Sequence, residues 1–329
     1  MSTYDFKGKI AIVTGAGSGI NHALTELLLE AGCSVVVADV RLRPQAQQTL
    51  DKYPHPGKGT SDYCRPSAIF QPTDMSNWAQ IRLLWETALQ TYGRVNIVVN
   101  GAGLYEPPSS SFWNPPGGKS EGGVSSSGVE PADDPDAAVG QYQTFAVNTA
   151  GPIRLAQIAV QYWLQHPELE GNVLFFASLA AYLHGMLTPL YFASKAAIVS
   201  FSKSLGGLRK HCGIRNACIC PSTVHTPMIH EEQEHVVVHP DDIGLTPREC
   251  AEVALRLLRE PQYGDGNIVE CMKVVSDEES GQLVVRTREV PMEALYPSFT
   301  GTGLETILDS REASLLQRLQ HYGTRNSVE

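Results

Sequence analysis

The sequence predicts an α/β fold in which a parallel sheet is covered by helices on both faces. Short runs of apolar and β-branched residues alternate with segments whose apolar residues recur at three- and four-residue spacing, as on one face of a helix. The short runs are apolar nearly throughout, which is typical of strands that are buried on both sides. Strands that alternate with helices in this way favour a doubly wound sheet in a single domain.

The elements follow one another in a regular order. The clearest strand candidates are KIAIVTG at 9–15, SVVVADV at 34–40, VNIVVNGAG at 95–103, NVLFFAS at 172–178 and RNACICPS at 215–222. AIFQPTD at 68–74 is a weaker candidate, and GNIVECMKV at 266–274 supplies a last strand. The helical segments are 23–32, 77–93, 142–165 and 191–213, most of which end at a glycine, the residue that commonly follows the last helical turn.

Two regions depart from this order. Residues 104–140 are rich in Pro, Gly and Ser, which predicts a long loop inserted after a strand. Because ligands bind at the carboxyl ends of such strands, Tyr105, Phe112 and Trp113 can form part of a lid, although a tolerated surface insertion remains an equal alternative. We therefore expect a dinucleotide-binding catalytic domain at 1–274 and a C-terminal extension at 275–329. In that extension only 304–323 has a helical pattern, and it can cover the site or build a subunit interface.

Composition and charge exclude several classes of protein. A chain that is 42% hydrophobic and 18% charged can bury a large core, while its net charge of -10 disfavours nucleic acid or an anionic membrane as a partner. The N-terminus has no signal-peptide pattern, and no run reaches the roughly 18 apolar residues of a membrane span, so we expect a cytoplasmic protein. Seven cysteines without a C-x-x-C pair and ten histidines without H-E-x-x-H predict reduced thiols and no metal site.

The stretch TGAGSGINHA, at 14–23, predicts a loop that binds a dinucleotide. It lies between a strand and a helix, where Gly15, Gly17 and Gly19 permit a tight turn and close approach to a pyrophosphate at the helix N-terminus. Asn21 stands where a third glycine is expected, at a position that serves packing of the helix on the strand rather than phosphate contact. We interpret Asn21 as a structural substitution.

Two aspartates that close strands are candidates for the adenosine end of the cofactor. Asp39 can accept both ribose hydroxyls and would repel a 2'-phosphate, which favours NAD over NADP. Arg41 and Arg43 weaken this inference, because either could bind a phosphate. Asp74 can hold adenine, or it can cap the helix that starts near Asn77.

The strongest chemical signal is YFASK, at 191–195. Tyr191 and Lys195 share one face of a helix, where an ammonium favours the phenolate form of a nearby tyrosine. A tyrosine of pKa near 10 needs a depression of roughly three units to act as a base near neutrality, about 4 kcal/mol. Ser178 ends a strand and can bond a reacting oxygen or cap the next turn. Asn148 lies inside a predicted helix, which is unfavourable unless its side chain or a local backbone distortion has a use.

Taken together, these residues resemble the short-chain dehydrogenase/reductase family, in the subclass with a Thr-Gly-x-x-x-Gly cofactor loop and a Rossmann-type fold. The resemblance covers about 6–274, and its motifs stand here in the family's order as TGAGSGI, NGAG, Asn148, Ser178, YFASK and PSTVHTPM. It implies that Tyr191 is the general acid/base, that Ser178 positions the substrate oxygen, and that Lys195 lowers the tyrosine pKa and holds the nicotinamide ribose. It further implies that Asn148 anchors a water in a proton relay and that the assembly is a homodimer or homotetramer. The implied cofactor contacts are Gly15, Ser18, Gly19, Ile20, Asp39, Asp74, Asn100, Gly101, Tyr191, Lys195, Val224 and Thr226, the last two meeting the carboxamide.

Three positions depart from the family pattern. They are Asn21, Gly101 in NGAG where asparagine is usual, and Ser222 where glycine is usual. All three concern packing or backbone geometry rather than the catalytic side chains. Asn21 together with GLYEPPSSSFWNPPG, at 103–117, is similar to fungal members that resemble hydroxyprostaglandin dehydrogenases, several of which act on secondary metabolites.

The function that these observations predict is NAD-dependent oxidation of a secondary alcohol to a ketone on an apolar small molecule. One alternative is a related NADP-dependent ketoreductase. Another is a non-redox role, as a dinucleotide-binding regulator or an isomerase. The set of Asn148, Ser178, Tyr191 and Lys195 disfavours that second alternative, because binding alone would not require all four.

Overall fold

The computed structural model describes residues 3–57, 65–117, 129–230, 242–277, 281–291 and 310–319. Part of the predicted loop at 104–140, namely 118–128, therefore lies outside the described residues. Much of the predicted C-terminal extension lies outside them as well.

Within the described residues, the strands form one sheet of eight. They are Ile10–Thr14 (β1), Ser34–Asp39 (β2), Ala68–Pro72 (β3), Ile97–Asn100 (β4), Asn172–Phe176 (β5), Arg215–Pro221 (β6), Asp265–Asp277 (β7) and Gln282–Glu289 (β8). Their order is β3-β2-β1-β4-β5-β6-β7-β8, and every neighbouring pair is parallel except β7 with β8. Because the strand order reverses between β1 and β4, the crevice that binds a ligand in such a sheet begins there.

Helices cover both faces of the sheet, as predicted. They are Gly19–Glu30 (α1), Pro44–Lys52 (α2), Trp78–Tyr92 (α3), Gln143–Phe145 (α4), Gly151–Gln165 (α5), Pro189–Ser204 (α6), Leu208–Cys212 (α7), Pro227–His230 (α8) and Pro247–Arg259 (α9). One core layer packs α1 and α9 on the sheet through residues such as Leu24 and Leu257. The other packs α3, α5 and α6 through residues such as Leu84, Leu155 and Ile198. The Rossmann-type doubly wound fold is thus confirmed.

Several elements differ in detail from the prediction. The predicted helix at 191–213 is two helices, α6 and α7, because the chain turns at 205–207 around Gly206 and Gly207. The predicted helix at 142–165 contains a π turn, Ala146–Ala150, between α4 and α5. The last strand continues past 274 to Asp277, and β8 adds an antiparallel edge from the segment expected to be an extension.

The C-terminal segment also contains a helical stretch over 310–319, inside the predicted range 304–323. Leu316 packs against the core layer of α5 and α6, and Glu312 lies 3.6 Å from the His211 ring. Among the residues that the structure describes, no helix is both long and apolar enough to cross a membrane.

Candidate active site

A cavity of about 570 Å³ opens at the carboxyl ends of β1, β4, β5 and β6. It brings together most of the residues that the sequence singled out. Those that line it are Gly15, Ser18, Gly19, Ile20, Asp39, Asp74, Gly101, Ser178, Tyr191, Lys195, Val224 and Thr226. Asn100 and Asn148 are buried but do not line it.

The glycine loop has the close approaches that require glycine. Gly15 has a φ of +70°, and a Cβ at this position would lie 2.7 Å from the Ala102 Cα. A Cβ at Gly17 would overlap the Arg41 carbonyl oxygen. Ser18 precedes α1 in extended conformation and makes no side-chain cap bond, so the first-turn amides of α1 keep their capacity to bind an anion. These features suit the pyrophosphate of a dinucleotide.

Thr14 fixes this loop to the next strand, a role that the sequence analysis missed. Its hydroxyl donates to the Val99 carbonyl over 3.2 Å and accepts from the amides of Gly101 and Ala102 at 3.0 and 3.1 Å. Because Thr14 is the last residue of β1, its side chain holds the two loops that form the floor of the cavity at a constant separation.

Asn21 and Gly101, two of the departures from the family pattern, are in contact. The Asn21 side-chain nitrogen donates to the Gly101 carbonyl over 2.9 Å. A Cβ at Gly101 would overlap the Asn21 amide, so the side chain on α1 occupies the space that a side chain at 101 would need. The two departures compensate for each other. Asn21 Oδ1 is buried without a partner among the described residues, and Asn21 lines the cavity, as a group that bonds a ligand would.

Asp39 holds the far end of the glycine loop. Its carboxylate accepts from the Gly17 amide at 2.9 Å and the Arg41 amide at 3.2 Å. Arg41 and Arg43 line the same part of the cavity, so both signs of charge are present where an adenosine ribose would lie.

Asp74 does not cap α3, which was one of its two predicted roles. The cap is Asn77, whose side chain accepts from the amides of Ala79 and Gln80. The Asp74 carboxylate instead accepts from the Ser76 amide and hydroxyl at 2.8 and 2.7 Å. It remains in the lining of the cavity, where the adenine role stays a prediction.

Tyr191 and Lys195 lie on the first turns of α6, with the Lys195 Nζ 5.7 Å from the centre of the Tyr191 ring. Desolvation raises the pKa of Tyr191 to about 12, and its hydrogen bond with Ser178 opposes that rise. Burial lowers the pKa of Lys195 to about 8, and its Nζ donates to the Phe176 carbonyl over 3.1 Å. The pKa of Tyr191 is thus shifted upward, opposite to the direction that a base near neutrality requires.

Ser178 caps the next turn, which was one of its two predicted roles. Its hydroxyl accepts from the Ala180 amide at 3.2 Å, as the cap of the short turn Leu179–Ala181. Ser178 also lines the cavity, where its bond to a reacting oxygen stays a prediction. The cap bond uses a lone pair of the oxygen, so the hydroxyl keeps its proton to donate.

Asn148 lies in the π turn, so the expected backbone distortion is present. Such single π turns recur at functional sites. Its side chain accepts from the Leu104 amide at 2.7 Å and donates to the Leu104 carbonyl at 2.8 Å and the Ser194 hydroxyl at 3.0 Å. Ser194, which the sequence analysis did not consider, in turn donates to the Tyr191 carbonyl over 2.7 Å. Asn148 thus joins the start of the loop to the catalytic helix.

The described part of the loop at 104–140 lies against α6. The Tyr105 and Tyr191 ring centres are 4.6 Å apart, and the Trp113 indole donates to the Met186 carbonyl over 2.7 Å. Phe112 packs edge-on against Trp113, and both are about half exposed, at 52% and 46%. Of the three aromatic residues predicted for a lid, Tyr105 contacts the Tyr191 ring, whereas Phe112 and Trp113 do not line the cavity. Closure remains a prediction.

Comparisons with known proteins agree with this geometry. The profile of the short chain dehydrogenase family matches residues 9–236. An uncharacterised oxidoreductase of Staphylococcus aureus is 26% identical over 260 residues, covering 79% of this chain and 94% of that protein. The L-fucose dehydrogenase of Bos taurus is 25% identical over 226 residues, covering 69% of this chain and 70% of the relative. The (21S)-21-acetoxyl-apo-melianone synthase of Melia azedarach is 27% identical over 222 residues, covering 68% of this chain and 69% of that protein.

Solved structures show the same fold. A 3-ketoacyl-(acyl-carrier-protein) reductase from Brucella melitensis, complexed with NADH, has a TM-score of 0.57 and 22% identity, covering 78% of this chain and 93% of that one. A short-chain type dehydrogenase/reductase from Mycobacterium marinum has a TM-score of 0.62 and 20% identity, covering 81% of this chain and 94% of that one. The chain belongs to the short-chain dehydrogenase family and is a nicotinamide-dependent oxidoreductase.

Proposed function

We propose that this oxidoreductase uses NAD to oxidise a secondary alcohol to a ketone on an apolar small molecule. The observation that carries the proposal is that Ser178, Tyr191 and Lys195 line the same cavity as the glycine loop. A hydroxyl, a phenol and an ammonium at one end of a dinucleotide cavity form the set that alcohol oxidation requires.

Each side chain has a distinct role in this proposal. When bound, the nicotinamide accepts the hydride that leaves the alcohol carbon. Ser178 hydrogen-bonds the substrate oxygen, and the Tyr191 phenolate takes its proton; in the reverse direction the same groups return it. Lys195 holds the nicotinamide ribose and favours the phenolate. Asn148 anchors a water in the proton relay, as the family resemblance implies.

The remaining cofactor contacts follow the order of the cavity wall. The glycine loop would hold the pyrophosphate, Asp39 the ribose of adenosine, and Val224 and Thr226 the carboxamide. The proposed set outside the catalytic residues is Gly15, Ser18, Gly19, Ile20, Asp39, Asp74, Asn100, Gly101, Val224 and Thr226. Asp39 supports NAD over NADP, because its charge repels a 2'-phosphate.

The apolar character of the substrate is supported by exposed side chains on the loop after β4 and on the segment before α6, which meet where Trp113 bonds Met186. They are Phe112, Trp113, Leu183, Met186 and Leu187, all more than 40% exposed. Exposed apolar groups that cluster on a surface favour a ligand that carries apolar surface. From the resemblance of Asn21 and the segment 103–117 to fungal members, we also propose an enzyme similar to hydroxyprostaglandin dehydrogenases that acts in secondary metabolism.

The proposal also covers the organisation of the chain. Residues 1–274 are proposed as the catalytic domain, with the loop at 104–140 inserted in it, and 275–329 as a C-terminal extension. The first part of that extension, the end of β7 and β8, adds to the sheet of the domain. The expected assembly is a homodimer or homotetramer, by resemblance to the family.

The NADP-dependent ketoreductase is the second candidate function, favoured by one observation, that Arg41 and Arg43 line the cavity beside Asp39. Absorbance of reduced nicotinamide, followed with NAD and NADP against a panel of apolar alcohols and ketones, distinguishes the two. NAD-dependent turnover of a secondary alcohol is the expected result. Turnover with NADPH and a ketone alone would favour the reductase. A chain that binds the cofactor but turns over no member of the panel would favour a non-redox role.

A further inference from the structure

Glu106 is a buried carboxylate in the polar loop that follows β4. It is only 5% exposed and accepts three hydrogen bonds. Its Oε2 accepts from the Tyr191 amide at 3.0 Å, and its Oε1 accepts from the Ser111 hydroxyl at 2.9 Å and the Phe112 amide at 3.0 Å. One carboxylate thus joins two segments that are distant in sequence.

On the helix side, Glu106 takes the place of a missing cap. Thr188 is the N-cap of α6 but makes no side-chain cap bond, and the first-turn amides of a helix have no partner within it. The Glu106 carboxylate binds one of these amides, where the partial positive charge of the helix N-terminus also stabilises it. The amide that it binds belongs to Tyr191, so the contact acts on the backbone that carries the proposed base.

On the loop side, Glu106 fixes the aromatic segment. Its hydrogen bond with the Phe112 amide fixes the backbone at Phe112. The next residue is Trp113, whose indole donates to the Met186 carbonyl. The adjacent Tyr105 packs against the Tyr191 ring at 4.6 Å and accepts from the Thr188 hydroxyl at 3.3 Å. Loop and helix therefore meet at two points, through the tilted contact of the Tyr105 and Tyr191 rings and through the Glu106 carboxylate.

We propose that Glu106 is a positioning residue, which fixes Tyr191 relative to the aromatic loop and transmits the position of that loop to the catalytic helix. It acts through the main-chain nitrogen of Tyr191. The inference rests on the proposed function, because it presumes that Tyr191 is the base. A displacement of a reacting group by about 1 Å can cost about a hundredfold in rate, so a tether at this point controls kcat.

The test uses Glu106→Gln, which keeps the volume of the side chain but leaves one acceptor oxygen for donors on two sides. We expect kcat to fall at least tenfold, while KM for the alcohol changes less and the NAD dissociation constant stays within twofold. Glu130→Gln is the matched control, since it makes the same change at an exposed position of the same loop and leaves all three constants unaltered. Active sites are counted by cofactor titration, so a loss of folded enzyme does not register as a fall in kcat.

Hydrogen exchange supplies a readout that needs no substrate. In Glu106→Gln, the peptides that contain Tyr191 and Phe112 are expected to exchange together, at least tenfold faster than in Glu130→Gln. Faster exchange at Phe112 alone, with kcat and Tyr191 exchange as in the parent, would reduce Glu106 to a loop anchor and overturn the proposal. Parent-like kcat and exchange would also overturn it. If Tyr191→Phe is fully active, the proposed function fails, and the exchange result still decides whether Glu106 joins the two segments.

Discussion

The Asn21 side chain donates a 2.9 Å hydrogen bond to the Gly101 carbonyl and occupies the space that a side chain at 101 would need. An asparagine on the cofactor helix and a glycine on the facing loop thus form one structural unit. This contact packs α1 against the loop after β4.

This relationship predicts that the two positions are coupled. Gly101→Ala should destabilise the parent by about 1 to 3 kcal/mol, since the added methyl overlaps the Asn21 amide. In the Asn21→Gly background the same change should cost far less, giving a coupling free energy within the usual range of about 0.5 to 3 kcal/mol. Urea unfolding of the four proteins measures the coupling. Gly140→Ala, where no atom lies within 4 Å of the added Cβ, is the control. Strictly additive effects would show that the contact is incidental.

Asp39 predicts the choice of cofactor. NAD should bind more tightly than NADP, and Asp39→Ser should narrow the difference by removing the charge that repels a 2'-phosphate. Asp39→Asn separates charge from shape, because it keeps an acceptor for the Gly17 or Arg41 amide. Calorimetric titration with both cofactors measures the ratio. Equal or tighter binding of NADP to the parent would contradict the prediction and leave Arg41 and Arg43 as the dominant charges.

Much of the fold could be predicted because its signals are local. Continuous apolar runs predicted β1, β2, β4, β5 and β6, and even the weaker run at 68–74 contains β3. Four numbered elements were not predicted, namely α2, α8, α9 and β8. The helix α2 buries only Ala46 and Thr49, so its apolar periodicity is faint. The strand β8 lies at the exposed edge of the sheet, and its sequence, QLVVRTRE, lacks the continuous apolar character of a buried strand.

For the site, likewise, residues in local motifs could be predicted, whereas contacts between distant segments could not. Residues in motifs, such as Ser178, Tyr191 and Lys195, were found because their spacing is local, and the structure brings them to one cavity. Glu106 could not be found, because a carboxylate in a polar loop looks solvated until the fold places α6 beside it. The contact of Asn21 with Gly101 was missed for the same reason, since it depends on two segments that only the sheet brings together.

The loop at 104–140 is predicted to become better ordered when cofactor and substrate bind. Phe112 and Trp113 are about half exposed and lie on the loop segment that Glu106 joins to α6, so an apolar substrate gains contact area if they close on it. Hydrogen exchange of peptides at 104–117 and 129–140 should slow in the ternary complex, with the edge strand β8 as an internal reference. Exchange in these peptides that stays the same with both ligands present would favour a surface insertion over a lid.

We expect replacement of Lys195 to raise the free energy of unfolding and to abolish activity. Burial lowers the pKa of Lys195 to about 8 from an ordinary 10.5, so desolvation of its ammonium reduces the free energy of unfolding at neutral pH. Lys195→Met should therefore stabilise the chain at pH 7 by about 2 kcal/mol, since one pKa unit corresponds to about 1.4 kcal/mol and the Phe176 carbonyl loses its partner. Activity should be lost in the same variant, because Lys195 lies at the reacting end of the cavity.

The sign of the pH dependence follows from the same shift. Between about pH 8 and pH 10.5 the unfolded chain holds a proton that the folded parent lacks, so the parent gains stability as the pH rises. The advantage of Lys195→Met should accordingly shrink across this window. Urea unfolding near neutral pH and at about pH 9.5 measures it. Lys203→Met, an exposed position on the same helix, should show no such trend. A difference between Lys195→Met and the parent that is independent of pH would refute the explanation.

Tyr191→Phe tests the proposed base. The ring and its contact with Tyr105 survive the change, so NAD should bind within a small factor of the parent, while the rate falls by roughly the 10²- to 10⁴-fold that follows loss of a general base. Tyr162→Phe is the control, because Tyr162 is also a partly buried tyrosine with a raised pKa but lies on α5, away from the cavity. It should retain full activity.

The dependence of the oxidation rate on pH tests whether Tyr191 acts as a phenolate base. Burial raises the pKa of Tyr191 to about 12, so its proposed role as a base near neutrality requires the positive charge that a bound nicotinamide would add beside Lys195. The oxidation rate of the parent should therefore rise with pH along a limb whose apparent pKa lies well below 12. Whatever activity Lys195→Met retains should show that limb displaced upward or absent, because one of the two charges is gone. Full activity of Tyr191→Phe on the true substrate, with an unchanged limb, would leave Tyr191 as an ordinary helical residue beside the cofactor and assign the proton to another group.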